Sequence, residues 1–590
     1  MTTFTYNLCK AHGVFFVLMY ALGLTGIVFE PWNGSRLCMA FELLADLSVL
    51  CLLLHLLPSR MRHAAHVAIG AAMYALSAVD MACYVRMGMP ITPMLLQLAL
   101  QTNTREATEV LGSYLDSGML MSPLSLVVIQ AAAGVYVLCH ESRIASRIGM
   151  HMPSRWPWPR LTTAAVWLLP VLCLATSAEN KYYMLCRVVC QYSELETQKI
   201  RDFSQRTNFY LPVYRLAFAL SETHRLRGEI AQFERSMLGA HVDSASHLSP
   251  HVVLIIGESY NRRHSSLYGY AKPTTPCQLR RWRGGELVPY TDMISSWNTT
   301  CESLKNMFST YCTRPGGTWA EEPPFTLLYR QAGYHVSFFS NQYVTGRAGF
   351  SDFIEDAFFN NPHTSRLMFD ERNALTHEYD LALIDDWRTS GSAGHAYTLD
   401  IFHFLGLHAD FSMRYPRAFA KFAASDYARP DLSSADKAIL AHYDNAVAYN
   451  DHVIDSILRL YEDRDAVVVF VPDHGERVFD SSAEWGRNLT WDAGDIRQQF
   501  EIPFWIWGSP SYRKSHQTLW RQIEEASGRR GMTDALAHLM LHLAGIHTKW
   551  YRADDDILSG GYDAHRSRMI RGERDYDRIV EPPSGPPQAQ

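Results

Sequence analysis

The chain has 590 residues, a length that suggests two to four domain-sized units. Its 54 Lys and Arg against 60 Asp and Glu leave a formal charge of −6, which gives no electrostatic reason to expect a nucleic-acid partner. Apolar residues make up 47%, ordinary for a soluble protein, but that average hides long uncharged runs confined to the N-terminal third.

In chain order, the first elements are five apolar stretches at residues 13–29, 38–57, 65–85, 121–140 and 161–177. Each is close to the ~20 residues that a bilayer core requires, so five transmembrane helices are expected. A soluble bundle would show a polar face at a 3.6-residue period, and residues 13–29 and 161–177 have none. Basic residues set the orientation. Arg60 and Arg62 follow the second stretch, and Arg143, Arg147, Arg155 and Arg160 follow the fourth, whereas residues 86–120 hold only Arg86 and Arg105. The basic loops are expected in the cytoplasm, which puts everything after Ser177 outside it. Glu42, Asp46 and Asp80 lie within the spans and are costly unless they face one another or water. They read either as a polar floor beneath a lipid headgroup or as helix-to-helix hydrogen bonding. The long outer loop carries Gln101, Thr102, Asn103, Glu106 and Glu109 among apolar residues at helical spacing, the pattern of a helix lying on the membrane surface.

The chain then divides into a transmembrane domain at 1–178, a partly helical connector at 179–249, an α/β domain at 250–575 and a Pro- and Gln-containing disordered tail at 576–590. Within the α/β domain, β-branched or aromatic runs recur at 252–256, 336–340, 397–405, 466–471 and 502–507, and helical patterns such as 437–461 and 533–543 separate them. That alternation predicts an α/β sandwich with a largely parallel sheet, whose ligands bind beyond the carboxyl ends of the strands. Of the 11 cysteines, Cys186, Cys190, Cys277, Cys301 and Cys312 follow the last span, and no pairing is assigned among them.

Three places carry chemistry. Glu258 directly follows the 252–256 strand. Asp473 and His474 adjoin at the end of the 466–471 strand and supply ligands of the types zinc accepts. Thr299 and Thr300 precede the helical run 301–308, where backbone N–H groups and the helix dipole favour an anion. Each has a plain structural reading in isolation: Thr300 as a helix cap, Asp473 and His474 as a hydrogen-bonded turn. Together they form a metal site beside a hydroxyl nucleophile.

These residues carry a resemblance. Gly257-Glu258-Ser259, then Ser266-Leu267-Tyr268-Gly269-Tyr270 and Thr274-Thr275-Pro276, resemble the phosphoethanolamine transferases of the sulfatase/alkaline-phosphatase-like superfamily. So do Asp473-His474-Gly475-Glu476 and the run Thr300-Cys301-Glu302-Ser303-Leu304. The five N-terminal spans and the outer-loop residues Asn103 and Glu106 are similar to that family as well. The resemblance implies an alkaline-phosphatase/sulfatase-type sandwich behind the membrane helices. It implies one tightly held zinc ion on Glu258, Thr300, Asp473 and His474, with a second left open, and Thr300 as the nucleophile that forms a phosphoethanolamine-threonine intermediate. The donor it implies is phosphatidylethanolamine. The acceptor is lipopolysaccharide, at lipid A or a core sugar, or another envelope glycan, in an inner membrane with the catalytic domain in the periplasm. Asn341 and His408 resemble the family's phosphate contacts, and Asn103 and Glu106 are expected to meet the lipid substrate.

The sequence departs from the lipid A-modifying members of the family in three places. Thr345 stands where they have a lysine, with Arg347 nearby. Glu484, Arg487 and Asn488 occupy the stretch in which they have a histidine. Their cysteine pair around the nucleophile helix is unmatched. Two other functions are compatible with parts of the pattern: a phosphoglycerol transferase of the lipoteichoic-acid-synthase type, and a non-catalytic glycan-binding membrane protein. The Leu-Tyr-Gly-Tyr and Thr-Thr-Pro stretches favour phosphoethanolamine over the first. The complete acid, threonine and Asp–His set, which a scaffold does not need, disfavours the second.

Overall fold

The computed structural model describes residues 2–29, 36–87, 90, 91, 96, 122–140, 159–190, 210–314, 317–342, 359, 361–481, 483–487 and 491–580. The chain divides into two compact units, Met1–Arg227 and Gly228–Gln590.

The first unit contains helices α1 (Thr2–Phe29), α2 (Arg36–His55), α3 (Ser59–Met87), α4 (Pro123–Cys139) and α5 (Pro159–Val188), and helix α6 (Pro212–Leu238) begins in it. Among the described residues, three helices are long and apolar enough to cross a membrane: Thr3–Phe29, Arg36–His55 and Ser59–Val85. The fourth expected span falls on the shorter apolar helix α4, and the fifth on the 30-residue α5, which has Pro170 inside it. Leu43 packs with Phe15, Met19, Leu22 and Tyr74 in one buried cluster.

The intramembrane acids are all partnered. Glu42 accepts from Asn180 at 2.8 and 2.9 Å and pairs with Lys181 at 2.8 Å. Asp46 accepts from Lys181 at 2.7 Å and from the hydroxyls of Tyr210 and Tyr214. Asp80 pairs with Arg215 and accepts the backbone N–H of Ile91 at 2.8 Å. Asn180 and Lys181 lie on α5 and Tyr214 and Arg215 on α6, so each acid takes a partner from another helix, as the hydrogen-bonding reading expects. The outer-loop residues Asn103 and Glu106 and residues 581–590 of the expected 576–590 tail lie outside the described residues, whereas Tyr576–Val580, expected to be disordered, forms a short helix.

The second unit is built on a seven-stranded sheet. Its strands are β1 (His251–Gly257), β2 (Leu287–Tyr290), β3 (His335–Ser340), β4 (Glu371–Arg372), β5 (Thr398–His403), β6 (Ala466–Pro472) and β7 (Phe504–Gly508), in the spatial order β2-β7-β6-β1-β5-β3-β4. The five from β6 to β4 are mutually parallel, while β7 runs antiparallel to both β6 and β2. The central strands are apolar on both faces because both faces are covered. Val252, Leu254 and Ile256 join a cluster on one side with Leu304, Met307 and Phe308 of helix α7 (Thr300–Phe308). Val253 and Ile255 join another on the opposite side with Val447, Ile454 and Leu458 of helix α8 (Ser434–Leu460). Helix α8 starts at a reciprocal cap: Ser433 Oγ accepts the Asp436 N–H at 3.1 Å, and the Asp436 carboxylate accepts the Ser433 N–H at 3.2 Å. Because β6, β1, β5 and β3 are adjacent and parallel, residues 473, 258, 404 and 341 emerge along one edge of the sheet.

Candidate active site and metal centre

Each turn after a central strand is fixed by backbone geometry. Ser259, just after Glu258, is held at a φ of +54°, a conformation that L side chains rarely adopt. The surroundings stabilise it there: its N–H donates to Asp473 Oδ1 at 3.1 Å, its hydroxyl to Glu258 Oε1 at 2.6 Å, and its carbonyl accepts from Tyr443 at 2.8 Å. Strain of this kind concentrates at functional sites. Gly475, after His474, passes so close to the next segment that a Cβ there would stand 2.2 Å from the Gln498 carbonyl oxygen. The glycine lets the Asp473–His474 turn press against residues 498 and 499, where the Gly475 N–H donates to the Gln499 carbonyl at 2.9 Å.

These turns bring Glu258, Asp473 and His474 together as a buried group whose ligand atoms all lie within 4.8 Å of one another. His474 Nε2 is 3.2 Å from Asp473 Oδ2 and 3.7 Å from Glu258 Oε1. Thr300 closes the group from the start of α7, with its hydroxyl 3.2 Å from Glu258 Oε2 and 3.4 Å from His474 Nε2. The helix is preceded by Thr299 in extended conformation, with no side-chain hydrogen bond capping it, so the first-turn N–H groups of α7 suit an external anion.

The donor set fits a divalent metal. His474 Nδ1 lies 2.7 Å from the Gly475 carbonyl, an acceptor only, so Nδ1 carries the proton and Nε2 turns a lone pair to the two acids. Asp473 Oδ2 is buried and, among the described residues, accepts no hydrogen bond. The electrostatics agree. Burial and the facing Glu258 push the Asp473 carboxyl well above the usual range. Burial would raise Glu258 too, but the side chains around it, Arg487 and the hydrogen-bonding Ser259 among them, outweigh it and hold that carboxyl low. Burial, with Arg487 adding to it, lowers His474 to about 3, so the imidazole is neutral. Two facing carboxyls beside a neutral imidazole lone pair make a site that a cation relieves.

A second buried group, Cys312, His538 and Asp555, has comparable spacing but a different chemistry. Asp555 is bonded by Arg314 and Arg552 at 2.8 Å each and paired with Arg566 at 3.2 Å, and His538 Nδ1 accepts the Arg552 N–H. Arginines already neutralise its acid, and burial keeps the Cys312 thiol well above its usual range, so this set does not fit a cation.

The other expected site residues are placed as follows. Asn341 is buried with both ends of its amide engaged: Nδ2 donates to Asp380 at 2.8 Å and Oδ1 accepts the His377 N–H at 2.6 Å. The adjacent Gln342, which sequence reasoning passed over, reaches the cluster instead. Its Nε2 donates to Glu258 Oε2 at 3.0 Å and to the Phe404 carbonyl at 2.7 Å. His408 is half-buried and lies near enough to Glu258 and His474 to interact electrostatically with both. His403 is a core residue, with its Nδ1 3.0 Å from Ser340 Oγ and burial lowering it to about 4. Arg487 was also unassigned by sequence, and its Nη1 lies 2.8 Å from His474 Nε2. Thr345, Arg347 and Asn488 lie outside the described residues.

Comparison with known proteins adds a family. The Sulfatase family profile matches residues 250–546. Phosphoethanolamine transferase EptC of Escherichia coli strain K12 is 25% identical over 557 residues, covering 92% of this chain and 88% of that protein. Phosphoethanolamine transferase CptA of Salmonella typhimurium strain LT2 is 26% identical over 510 residues, covering 83% and 81%. The crystal structure of the C-terminal periplasmic domain of Escherichia coli EptC, a complex with Zn, matches with a TM-score of 0.50 at 25% identity, covering 57% of this chain and 95% of that one.

Proposed function

The chain belongs to the sulfatase family, and on that premise we propose that it is a zinc-dependent enzyme that transfers phosphoethanolamine from phosphatidylethanolamine to a bacterial envelope glycolipid, lipopolysaccharide at lipid A or a core sugar. The observation that carries this reading is the Thr300 hydroxyl, 3.2 Å from Glu258 and 3.4 Å from His474 at the first turn of a helix. Glu258, Asp473 and His474, with Thr300, would hold the zinc. When bound, zinc supplies the positive charge that makes a threonine hydroxyl acidic enough to serve as a nucleophile. The α7 first-turn N–H groups receive the phosphoryl oxygens, with His408 and Asn341 on the same strand-end edge. The bond from Thr300 Oγ1 to phosphorus forms as the bond from phosphorus to the glycerol oxygen breaks. The hydroxyl proton is balanced by the proton that the released diacylglycerol gains. An acceptor hydroxyl or phosphate then takes the phosphoethanolamine from Thr300, and the threonine regains its proton.

In this reading all five apolar stretches cross an inner membrane, residues 250–575 work in the periplasm, and Asn103 and Glu106 meet the donor headgroup at the membrane surface. The diacylglycerol product stays in the bilayer, which is why a membrane domain accompanies the catalytic one.

The test is incubation of the full-length chain in phosphatidylethanolamine-containing vesicles, followed by peptide mass mapping. The expected result is a phosphoethanolamine adduct on Thr300 and diacylglycerol in the lipid phase. An adduct on Thr299 moves the nucleophile by one residue. Absence of any adduct together with an active Thr300→Ala enzyme overturns the mechanism.

A further inference from the structure

Close to its C-terminal end, the second unit carries a small antiparallel hairpin of strands β8 (Met569–Ile570) and β9 (Arg574–Asp575), with Ile570 opposite Arg574. Its turn holds Arg571 and Gly572 at φ of +54° and +68°. Glycine adopts that conformation freely, whereas an arginine there is strained. The Arg571 N–H donates to the Ser296 carbonyl at 2.9 Å, which ties the turn to the segment leading into α7. Ser296 precedes Thr300 by four residues, a stretch of chain that spans at most about 14 Å.

Arg571 and Arg574 both lie over the ring of Trp491, with their guanidinium carbons 4.7 and 4.5 Å from its centroid. Trp491 is placed by the helix after it, α9 (Ala493–Phe500), whose cap Asp492 accepts the Gly494 N–H at 2.9 Å and the Asp495 N–H at 3.2 Å. The neighbouring arginines are committed to acids: Arg568 to Asp292 at 2.6 Å and to Asp577, Arg566 to Asp534, and Arg552 to Glu322 at 2.9 Å. Arg574 is not. It is exposed, and among the described residues no carboxylate pairs with it and its side chain makes no hydrogen bond. Stacking on the indole holds the guanidinium plane and leaves its N–H fork open. Two positive charges gathered on one ring repel each other, and an oxyanion beside them removes that repulsion. The hairpin therefore has the chemistry of a receptor for a phosphate or carboxylate, held in place before the ligand arrives.

We propose that Arg574, with Arg571 and Trp491, binds an anionic substituent, phosphate or carboxylate, on the saccharide of the acceptor glycolipid, and so selects and positions the acceptor. The inference rests on the transferase reading above. In that reading phosphatidylethanolamine has a single anionic group, and that group is the one held at Thr300. A second oxyanion site, tied to the chain four residues before Thr300, is left for the molecule that receives the phosphoethanolamine. No bond is made or broken at Arg574, and it takes no proton.

The test uses the full-length, zinc-loaded chain in phosphatidylethanolamine vesicles and three variants, Arg574→Ala, Arg574→Glu and Arg574→Lys. Arg574 is exposed, so all three are expected to unfold at the wild-type temperature. Diacylglycerol release without acceptor reads the donor step, and transfer to added lipopolysaccharide reads the acceptor step. The KM for lipopolysaccharide should rise about three- to tenfold in Arg574→Ala, rise further in Arg574→Glu, and be restored in part by lysine. The donor step should match wild type, and added salt should shrink the KM difference between wild type and Arg574→Ala. A wild-type KM in Arg574→Glu overturns the proposal. So does a donor step that falls as much as transfer does, which would mark a structural role. A loss seen only when the vesicles contain phosphatidylglycerol overturns it as well, because the hairpin would then be reading anionic membrane headgroups. Lipopolysaccharide binding to the same proteins, followed by calorimetry, stands apart from turnover. A wild-type chain inert toward phosphatidylethanolamine removes the transferase reading, while weaker binding by Arg574→Glu than by wild type still supports the anion site and equal binding still overturns it.

Discussion

Thr300 and the three residues around it define what single substitutions should do. Thr300→Ala removes one hydroxyl and one methyl at a helix start, so the fold should survive while turnover falls about a thousandfold or more, as expected for loss of a nucleophile. Thr300→Ser keeps the oxygen and should retain part of the rate. Product formation from phosphatidylethanolamine, measured beside circular dichroism of the same samples, checks both statements; an active Thr300→Ala protein would exclude Thr300 as the nucleophile. Asp473 and His474 test the metal. With Asp473 Oδ2 lacking a hydrogen bond among the described residues and His474 Nε2 presenting a lone pair, the Asp473→Ala, His474→Ala double variant should lose its zinc in elemental analysis as well as its activity. Full zinc occupancy in that variant would place the ion elsewhere.

Elements set these residues in position, and two of them make the dependence measurable. The turn after β6 depends on Gly475: a methyl there meets the Gln498 carbonyl oxygen at 2.2 Å, and the backbone must move to admit it. Gly475→Ala should therefore cost about 1–3 kcal/mol in denaturant unfolding and should lower zinc affinity, because Asp473 and His474 move with the turn. The short helical turns at 262–268 are tied to α8 and to the 473–487 loop through His264. This residue pairs with Asp444 at 2.6 Å and lies 3.5 Å from Asp480. Burial alone would lower its pKa, but Asp444 and then Asp480 overcome that and hold it up at about 10 rather than the usual 6.5. A raised folded-state value means the pair stabilises fully below pH 6.5 and loses its contribution as the pH rises to about 10. The stability gap between wild type and His264→Gln should thus shrink across that window, by up to about 1.4 kcal/mol per pH unit. A gap independent of pH would mean that His264 is neutral in the fold. The same elements explain what was legible in advance. β1, β3, β5 and β6 read as strands because parallel strands covered on both faces are continuous apolar runs. Glu258, Asp473 and His474 followed from being the polar residues at their ends, and Thr300 from preceding a helical run. The antiparallel β7–β2 edge was not legible, since a short apolar run does not declare its direction. Gln342 was missed because neighbouring residues after a strand point to opposite sides, and only the register separates Asn341, held by Asp380, from Gln342, which reaches Glu258.

At the scale of the whole molecule, the mean hydropathy of −0.13 conceals an apolar N-terminal unit and a soluble-type α/β unit, and a windowed reading separates them. Length and hydrophobicity made α1 to α3 legible. What they could not supply were the partners of Glu42, Asp46 and Asp80. Lys181, Tyr214 and Arg215 are more than a hundred residues away in sequence, and only the tertiary fold brings them to the acids. Orientation is a separate matter, because helices in isolation do not tell one side of a bilayer from the other. The side is set by basic residues: Arg60 and Arg62 in one loop and Arg143, Arg147, Arg155 and Arg160 in another, against Arg86 and Arg105 in the long loop between them. With the five spans proposed above and the basic loops inside, residues beyond 250 would lie outside the cytoplasm. In the proposed reaction the donor lipid and an envelope glycolipid acceptor would then meet them on one membrane face, and diacylglycerol would leave into the leaflet from which the donor came. A C-terminal alkaline phosphatase fusion should accordingly be active, and a green fluorescent protein fusion at the same site dark. If α4 or α5 failed to cross, the number of spans would become even and the two reporters would exchange signals. Fusions placed after His140 and after Val188 would then show which of the two helices stays on one side. An inactive phosphatase beside a bright fluorescent fusion would put the Thr300 site in the cytoplasm, facing the wrong leaflet for an outward-facing acceptor, and would remove the transfer to envelope glycolipid along with the orientation.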